Sequence, residues 1–251
     1  MLQIGVIEPT TSAQYNSPCF LVNKKNNEKR FVLDLRSLNA AIMPELVQLP
    51  KVTELIDDIT SKHCKFLSSL DLRAGYWQIP ISKRSRPYTT FTAPLGMRFQ
   101  YTVCPFGLAS SPSRMLRVLL TVFGGKLGKS AFLYMDDICL ADKSWLEHLG
   151  TLEDALRTLQ RNDLTCNPTK CELGMANLEF LGFQIGSDGV KISRKKLAVL
   201  EKLPAPKNRK GLQRILGLFN YWRRFLKDYP KHTYHMRSLL AKDTPFVWSK
   251  H

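Results

Sequence analysis

Over its first ninety residues the chain alternates short apolar runs with polar breakers. Pro18 to Val22 and Phe31 to Leu35 read as two strands. The polar, basic stretch Asn23 to Arg30 joins them as a hairpin with a charged tip. Leu55, Ile56 and Ile59 share one face of a short helix over 52–59, with Thr53 as its cap. Phe66 to Leu72 is a strand carrying Asp71 near its end. Trp77 to Ile81 and Tyr88 to Ala93 are further strands, and Pro94-Leu95-Gly96 turns into Phe99 to Val103. Ser110-Ser111-Pro112 opens a helix that runs to Phe123 and ends at Gly124-Gly125. Ala131 to Met135 and Ile138 to Ala141 flank Asp136-Asp137, a hairpin with carboxylates at its bend. From Ser144 to Arg161, Leu146, Leu149, Leu152, Leu156 and Leu159 recur at helical spacing. Leu178 to Ile185 reads as one strand and Gly186-Ser187-Asp188-Gly189 as a turn. Beyond 193 the spacing of Leu197, Leu200 and Leu203, then Leu212, Ile215, Leu216 and Phe219, then Tyr221, Trp222 and Phe225 is helical throughout. Pro204 and Pro206 separate the first two segments, and a domain boundary is expected near 192.

Composition narrows the classes. In 251 residues, 44% are apolar and 23% charged, enough apolar side chains for a buried core and too many for a disordered chain. The uncharged run Phe99 to Ser113, which none exceeds in length, is too short to span a bilayer, and the N-terminus shows no secretory pattern. The six cysteines form no CxxC pair and read as reduced thiols, so an intracellular chain without a membrane partner is expected. Charge is more informative. The net charge is +16, and residues 191–251 hold 16 Lys/Arg against three acids, leaving 21 against 18 for the rest. A near-neutral body with a strongly basic end implies a polyanion gripped by that end.

The acids suggest what happens to that polyanion. Adjacent carboxylates at a strand bend repel each other. Magnesium, a hard cation that shares oxygen ligands with phosphates, offsets the repulsion. Three such carboxylates at one sheet edge could hold two ions for an in-line phosphoryl transfer. An Asp-Asp pair alone is more often a hairpin with an acidic tip, so its surroundings decide.

Those surroundings resemble one family. Tyr134-Met135-Asp136-Asp137 is similar to the YxDD box of reverse transcriptases, and Leu70 to Ile79 resembles the block carrying the family's first metal aspartate. Pro105-Phe106-Gly107-Leu108-Ala109 with Pro112, Phe180-Leu181-Gly182-Phe183, and Leu216 to Phe225 resemble three further blocks in the family's order. The nearest pattern is that of gypsy-type long-terminal-repeat retrotransposons. The resemblance implies an α+β polymerase right hand: fingers from about 1–65 and 83–107, a palm to 192 with an antiparallel sheet backed by helices, and a basic helical thumb over 193–251.

It also implies roles. Asp71, Asp136 and Asp137 would hold two magnesium ions, with manganese able to substitute, and Lys170 would protonate the leaving pyrophosphate. Lys24 or Lys25 with Arg30 would hold the triphosphate. Leu72, Tyr76, Phe106 and Gly107 would line the nucleotide site, Tyr76 as the ring that excludes a ribose 2′-hydroxyl. Tyr134, Met135, Phe180, Leu181, Gly182, Phe183, Arg214, Arg223 and Arg224 would contact primer and duplex; Lys207, Arg209 and Lys210 are further basic candidates. The implied partners are an RNA template, a DNA primer, RNA–DNA and DNA–DNA duplexes and deoxynucleoside triphosphates, with a homo- or heterodimer left open. The implied location is cytoplasmic, within virus-like particles if the chain belongs to a retroelement polyprotein.

Some positions depart from the family. Trp77 stands for its histidine, Ser113 to Leu116 lose a Phe-Gln pair, Tyr88-Thr89-Thr90-Phe91 lack a lysine, and Asp142 replaces a common serine. None is a metal aspartate. The chain ends at His251 without an RNase H or integrase pattern, so neither activity is expected. The alternative reading is a truncated or host-retained copy that binds nucleic acid, or supports another chain, without polymerising.

Overall fold

The computed structural model describes residues 1–12, 14–23, 29–43, 47, 50–242 and 244–248, with Arg30 described by its backbone alone. The chain divides into two compact units, Met1–Leu178 and Glu179–His251. In the first lie β1 (Ile7–Pro9), β2 (Cys19–Asn23), β3 (Lys29–Leu33), β4 (Phe66–Asp71), β5 (Phe91–Thr92), β6 (Arg98–Tyr101), β7 (Ala131–Tyr134), β8 (Asp137–Asp142) and β9 (Glu172–Met175). Its helices are α1 (Arg36–Ala41), α2 (Val52–Ser61), α3 (Ser111–Phe123) and α4 (Trp145–Arg161).

Four strands form an antiparallel sheet in the order β7-β8-β4-β9. Ile138, Cys139, Leu140 and Ala141 of β8 are all buried, as an unbroken apolar run must be when both faces are covered. Helices α3 and α4 bring Met115, Leu119, Phe123, Ala155 and Leu159 onto Leu70, Ile138 and Leu140, the main core. A second sheet, β1-β6-β5, closes a smaller core of Val6, Leu33, Leu35, Phe91 and Tyr101. β2 and β3 pair as the expected hairpin, from Cys19 opposite Leu33 to Asn23 opposite Lys29. Its tip, with Lys24 and Lys25, lies outside the described residues.

Helix α4 starts where its sequence demands. The Ser144 hydroxyl accepts from the Glu147 N–H, and the Glu147 carboxylate accepts from the Ser144 N–H, a complete capping box. Its leucine stripe is only partly the buried face, however. Leu146 is 81% exposed and Leu149 and Leu156 are exposed too, whereas His148, Ala155 and Leu159 are buried. A buried polar network turns the helix. Gly174 N–H donates to Ser68 Oγ at 2.9 Å, and Ser68 Oγ lies 2.6 Å from His148 Nε2. His148 Nδ1 lies 2.7 Å from Asp142 Oδ2, and Thr151 Oγ1 donates to Asp142 Oδ1 at 3.0 Å. Neutral His148 satisfies every group: Ser68 O–H donates to Nε2 and Nδ1–H donates to the carboxylate.

Several local expectations are corrected. Thr53 is not a cap: it lies inside α2, whose N-cap is Lys51 with no side-chain bond. Trp77 to Ile81 is not a strand but a 3-10 turn over Gly75–Gln78, entered through the left-handed Ala74 (φ 49°), followed by a single bridge between Pro80 and Val103. Tyr88 to Ala93 begins as a 3-10 turn, Arg86–Thr89, with Pro87 in its first turn, and only Phe91–Thr92 pairs. β3 ends at Leu33, short of Leu35. The run Leu178 to Ile185 is two strands, broken where Leu181 and Gly182 take φ values of 52° and 83°. In the Trp77, Tyr88 and Leu178 runs a turn of the backbone lies inside an apolar stretch, which periodicity does not register.

The second unit holds β11 (Phe183–Gly186), β12 (Gly189–Ile192), α5 (Arg194–Glu201), α6 (Arg209–Tyr221) and α7 (Tyr229–Ser238). β10 (Asn177–Phe180), at the junction, completes the sheet β10-β11-β12. Ser193 caps α5 and Asn208 caps α6 through their side chains. The buried Phe183 ring is met by Tyr221, Trp222 and Phe225, with centroids 6.2, 5.0 and 5.8 Å away. Among the described residues no helix is long and apolar enough to cross a membrane. All six cysteines are free thiols; Cys64, Cys104 and Cys139 are buried, and Cys19, Cys166 and Cys171 are partly exposed.

Candidate active site

β4 ends at Asp71 and β8 begins at Asp137. Because the strands are antiparallel, the end of one meets the start of the other, and Asp71 stands directly opposite Asp137. Such partners have Cβ atoms about 4.5–5.5 Å apart. Tyr134 pairs with Asp137 across a two-residue turn, Met135-Asp136. Met135 takes φ 56°, the sign that a tight hairpin requires at its first central position and one that glycine usually supplies. A side chain there costs about 1 kcal/mol, strain held at the point where Asp136 is exposed. Residues 66 positions apart in sequence are thus neighbours on one sheet edge.

The electrostatics follow from that crowding. Crowding by protein atoms, then the charges of Asp136 and Asp71, push the Asp137 carboxyl up to about 6. Asp137 nevertheless keeps an exposed surface, which limits the energetic cost. Lys170 Nζ lies 3.5 Å from Asp71 Oδ1. Among the described residues no three carboxylate, histidine or cysteine groups are yet gathered closely enough to cage an ion. The three aspartates still fit a divalent cation, because a carboxyl whose ionisation is opposed by two like charges is the kind of donor set a cation relieves.

The segment after β4 is held by its own amides. Gln78 Nε2 donates to the Arg73 carbonyl at 2.7 Å and to the Thr165 carbonyl at 3.0 Å, and Gln78 Oε1 accepts from Thr165 N–H at 2.6 Å. The half-buried Tyr76 ring rests on Phe106, centroids 5.4 Å apart. Burial and the charges of Asp136 and Asp137 raise its phenol. Leu72 is buried and bridges Cys166, so only its backbone can face a ligand. Gly107 takes φ 94° and is exposed.

One clamp on this loop was missed in the sequence. Asn39 Nδ2 donates to the Gly107 carbonyl at 2.9 Å and Asn39 Oδ1 accepts from Ala109 N–H at 2.8 Å, so α1 grips the Phe106-Gly107 loop on both sides. A lone Asn in a short helix carries no periodic signal. Ser68, His148 and Gln78 were missed for the same reason. Arg30 lies in β3 opposite Val22; its side chain, like Lys24 and Lys25, is outside the described structure.

In the second unit, Phe180 and Phe183 are buried, so their side chains are not available to a primer; Leu181 and Gly182 form the turn between them. Leu181 and Arg214 line a cavity of about 710 Å³ with Lys196, Leu218 and Trp222. Arg214, Arg223 and Arg224 are exposed, with Arg224 over the Phe225 ring.

An antiparallel sheet with facing aspartates on adjacent strands, one beside a strained hairpin turn, defines a polymerase palm. Comparison with known proteins narrows the class. The chain belongs to the reverse transcriptase (RNA-dependent DNA polymerase) family, which it matches over residues 22–185. It is 32% identical over 99% of its length to the retrovirus-related Pol polyprotein from transposon 412 of Drosophila melanogaster, covering 20% of that protein. It is 30% identical, also over 99%, to the Tf2-3 polyprotein of Schizosaccharomyces pombe, covering 18%. The chain thus spans about a fifth of the curated relatives it matches. Among solved structures it resembles the foamy viral protease-reverse transcriptase in complex with double-stranded DNA, with TM-score 0.87, 28% identity, and coverage of 99% of this chain and 43% of that one. The same viral protein in complex with an RNA/DNA hybrid matches with TM-score 0.80 at 28% identity, over 99% of this chain and 33% of that one. The α+β polymerase fold expected from the sequence is therefore shared over nearly the whole chain.

Proposed function

We propose that this chain copies an RNA template, and DNA as well, into DNA from deoxynucleoside triphosphates. The observation that carries the reading is the pairing of Asp71 with Asp137 beside Asp136 at one sheet edge. Two magnesium ions bound there would activate a primer 3′-hydroxyl and balance the triphosphate charge. Asp71, Asp136 and Asp137 are the residues to hold them, and manganese fits the same oxygen donors. Tyr76, whose ring rests on Phe106, is the residue to meet the sugar and exclude an added 2′-hydroxyl. Lys170 is the proton donor to pyrophosphate, and Arg30 with Lys24 or Lys25 holds the triphosphate.

The basic residues of 193–251 act as a thumb that meets duplex phosphates without regard to sequence, as template copying requires. Residues 1–65 and 83–107 serve as fingers and the remainder to 192 as palm. The nucleic-acid complexes of the foamy viral relatives support the choice of partners. The test is extension of a DNA primer on an RNA template with magnesium, by wild type and Asp136→Asn. Extension by wild type alone, with equal duplex binding by both, is expected. Tight duplex binding without extension by wild type would replace this reading with that of a non-polymerising binding module.

A further inference from the structure

The segment 164–171, between α4 and β9, carries two of the six thiols, and the fold returns both to Asp71. Leu72 forms an antiparallel bridge with Cys166. Asn167 N–H donates to the Asp71 carbonyl at 2.8 Å, and the N–H groups of Lys170 and Cys171 both donate back to the Asn167 carbonyl, at 3.0 and 3.2 Å. Cys171 Sγ accepts the Asp71 N–H at 3.4 Å and donates to the Asp71 carbonyl at 3.9 Å. The two thiols pack on the same core and contact each other. The other four thiols do not lie at Asp71. Cys64, Cys104 and Cys139 are buried, and Cys19 donates to the Thr92 carbonyl in another sheet. Cys166 and Cys171 are both partly exposed, and Cys166 lines a cavity of about 390 Å³ with Leu156, Leu159, Leu164 and Thr165, which gives a small oxidant an approach.

We propose that Cys166 and Cys171 are a reversible disulfide site that disarms the Asp71 carboxylate. The loss of polymerisation it predicts rests on the function proposed above. The oxidant is a two-electron acceptor of the azo or disulfide class. One thiol adds to the N=N or S–S bond of the acceptor, and the second thiol displaces that group from sulfur. One S–S bond forms and two S–H bonds break. Two protons and two electrons leave on the acceptor, as a hydrazine or as two small thiols. A disulfide holds its sulfurs about 2.0 Å apart, closer than any thiol contact. To reach that length Cys171 Sγ turns away from the Asp71 N–H and leaves that donor unpaired. Lys170, the neighbour of Cys171 that faces Asp71 Oδ1, moves with the loop. Lys170 is the partner that faces the Asp71 carboxylate itself, and losing such a partner of a metal-binding carboxylate costs about 10–100-fold in activity.

The experiment treats the full chain with diamide, alkylates the remaining thiols and maps tryptic peptides. The expected product is Asn162–Lys170 joined to Cys171–Lys191, lighter by two hydrogens and absent after dithiothreitol. RNA-templated extension should fall at least about tenfold on oxidation and recover on reduction. Cys166→Ser should keep the untreated rate, form no such product and resist diamide. Two alkylated thiols after diamide, a cross-linked chain that extends at the reduced rate, or an equal fall in oxidised Cys166→Ser would each overturn the proposal. If the reduced chain extends no primer, the polymerase reading fails separately, while the peptide masses still decide the cross-link.

Discussion

The carboxylate edge stores a cost that stability measurements can read. Asp137 ionises at about 6 in the folded chain against an ordinary 3.8, so its charged form opposes folding. Full conversion of that shift gives about 3 kcal/mol. Because Asp137 is exposed, solvent screens the repulsion, and about 1 kcal/mol is the expected net cost. The sign follows from proton counting. Between the two values the folded chain binds more protons than the unfolded one, so stability falls as pH rises and levels off above about 6. Asp137→Asn removes the charge and should raise the melting temperature by about 2–4 °C at pH 8 in a chelator. Part of that gain should be gone by pH 5, as wild type begins to protonate. Magnesium should narrow the difference at pH 8 by stabilising wild type alone. Thermal unfolding followed by circular dichroism, with and without chelator, measures all three. Equal melting temperatures at pH 8, or the same gain at pH 5 as at pH 8, would refute the claim that burial and the charges of Asp136 and Asp71 oppose the ionisation of Asp137.

Three further outcomes are expected. Tyr76→Val should lower discrimination against ribonucleoside triphosphates by about tenfold or more in single-nucleotide extension, because it removes the ring set on Phe106; unchanged sugar selectivity would dismiss Tyr76 as the gate. His148→Leu strands Ser68 and a nearly buried Asp142, so urea unfolding should show a loss of about 3–5 kcal/mol; a loss below about 1 kcal/mol would mean the network contributes little. Raising salt from about 50 to 200 mM should weaken duplex binding by about 10³-fold or more if six phosphates are engaged, and a flat response in fluorescence anisotropy would exclude a phosphate grip by residues 193–251.

Some of this was legible in residue order, and the division has a physical basis. Runs such as Ile138 to Ala141 and the Ser144/Glu147 box act through neighbours on one strand or one helical turn, and the sequence lists such neighbours. The strand pair around Asp136-Asp137, the start of α4 and the basic character of 191–251 were readable for that reason. Reversals of direction were not. The Leu181-Gly182 turn and the entry through Ala74 depend on the sign of one backbone dihedral within an apolar run, and hydrophobic spacing is blind to it.

Tertiary structure alone decided which face of α4 is inside. Burying His148 between Ser68 and Asp142 satisfies three polar groups at once, and leaving Leu146 in water is the smaller cost. Only the fold put Asn39 on both sides of Gly107, and Cys166 beside Cys171 against Asp71. The sequence by itself marked Asp71, Asp136 and Asp137 as the candidate acids of the proposed site. The antiparallel register of β4 and β8 decided that Asp71 and Asp137 share one edge, because pairing is fixed by hydrogen bonds between strands distant along the chain.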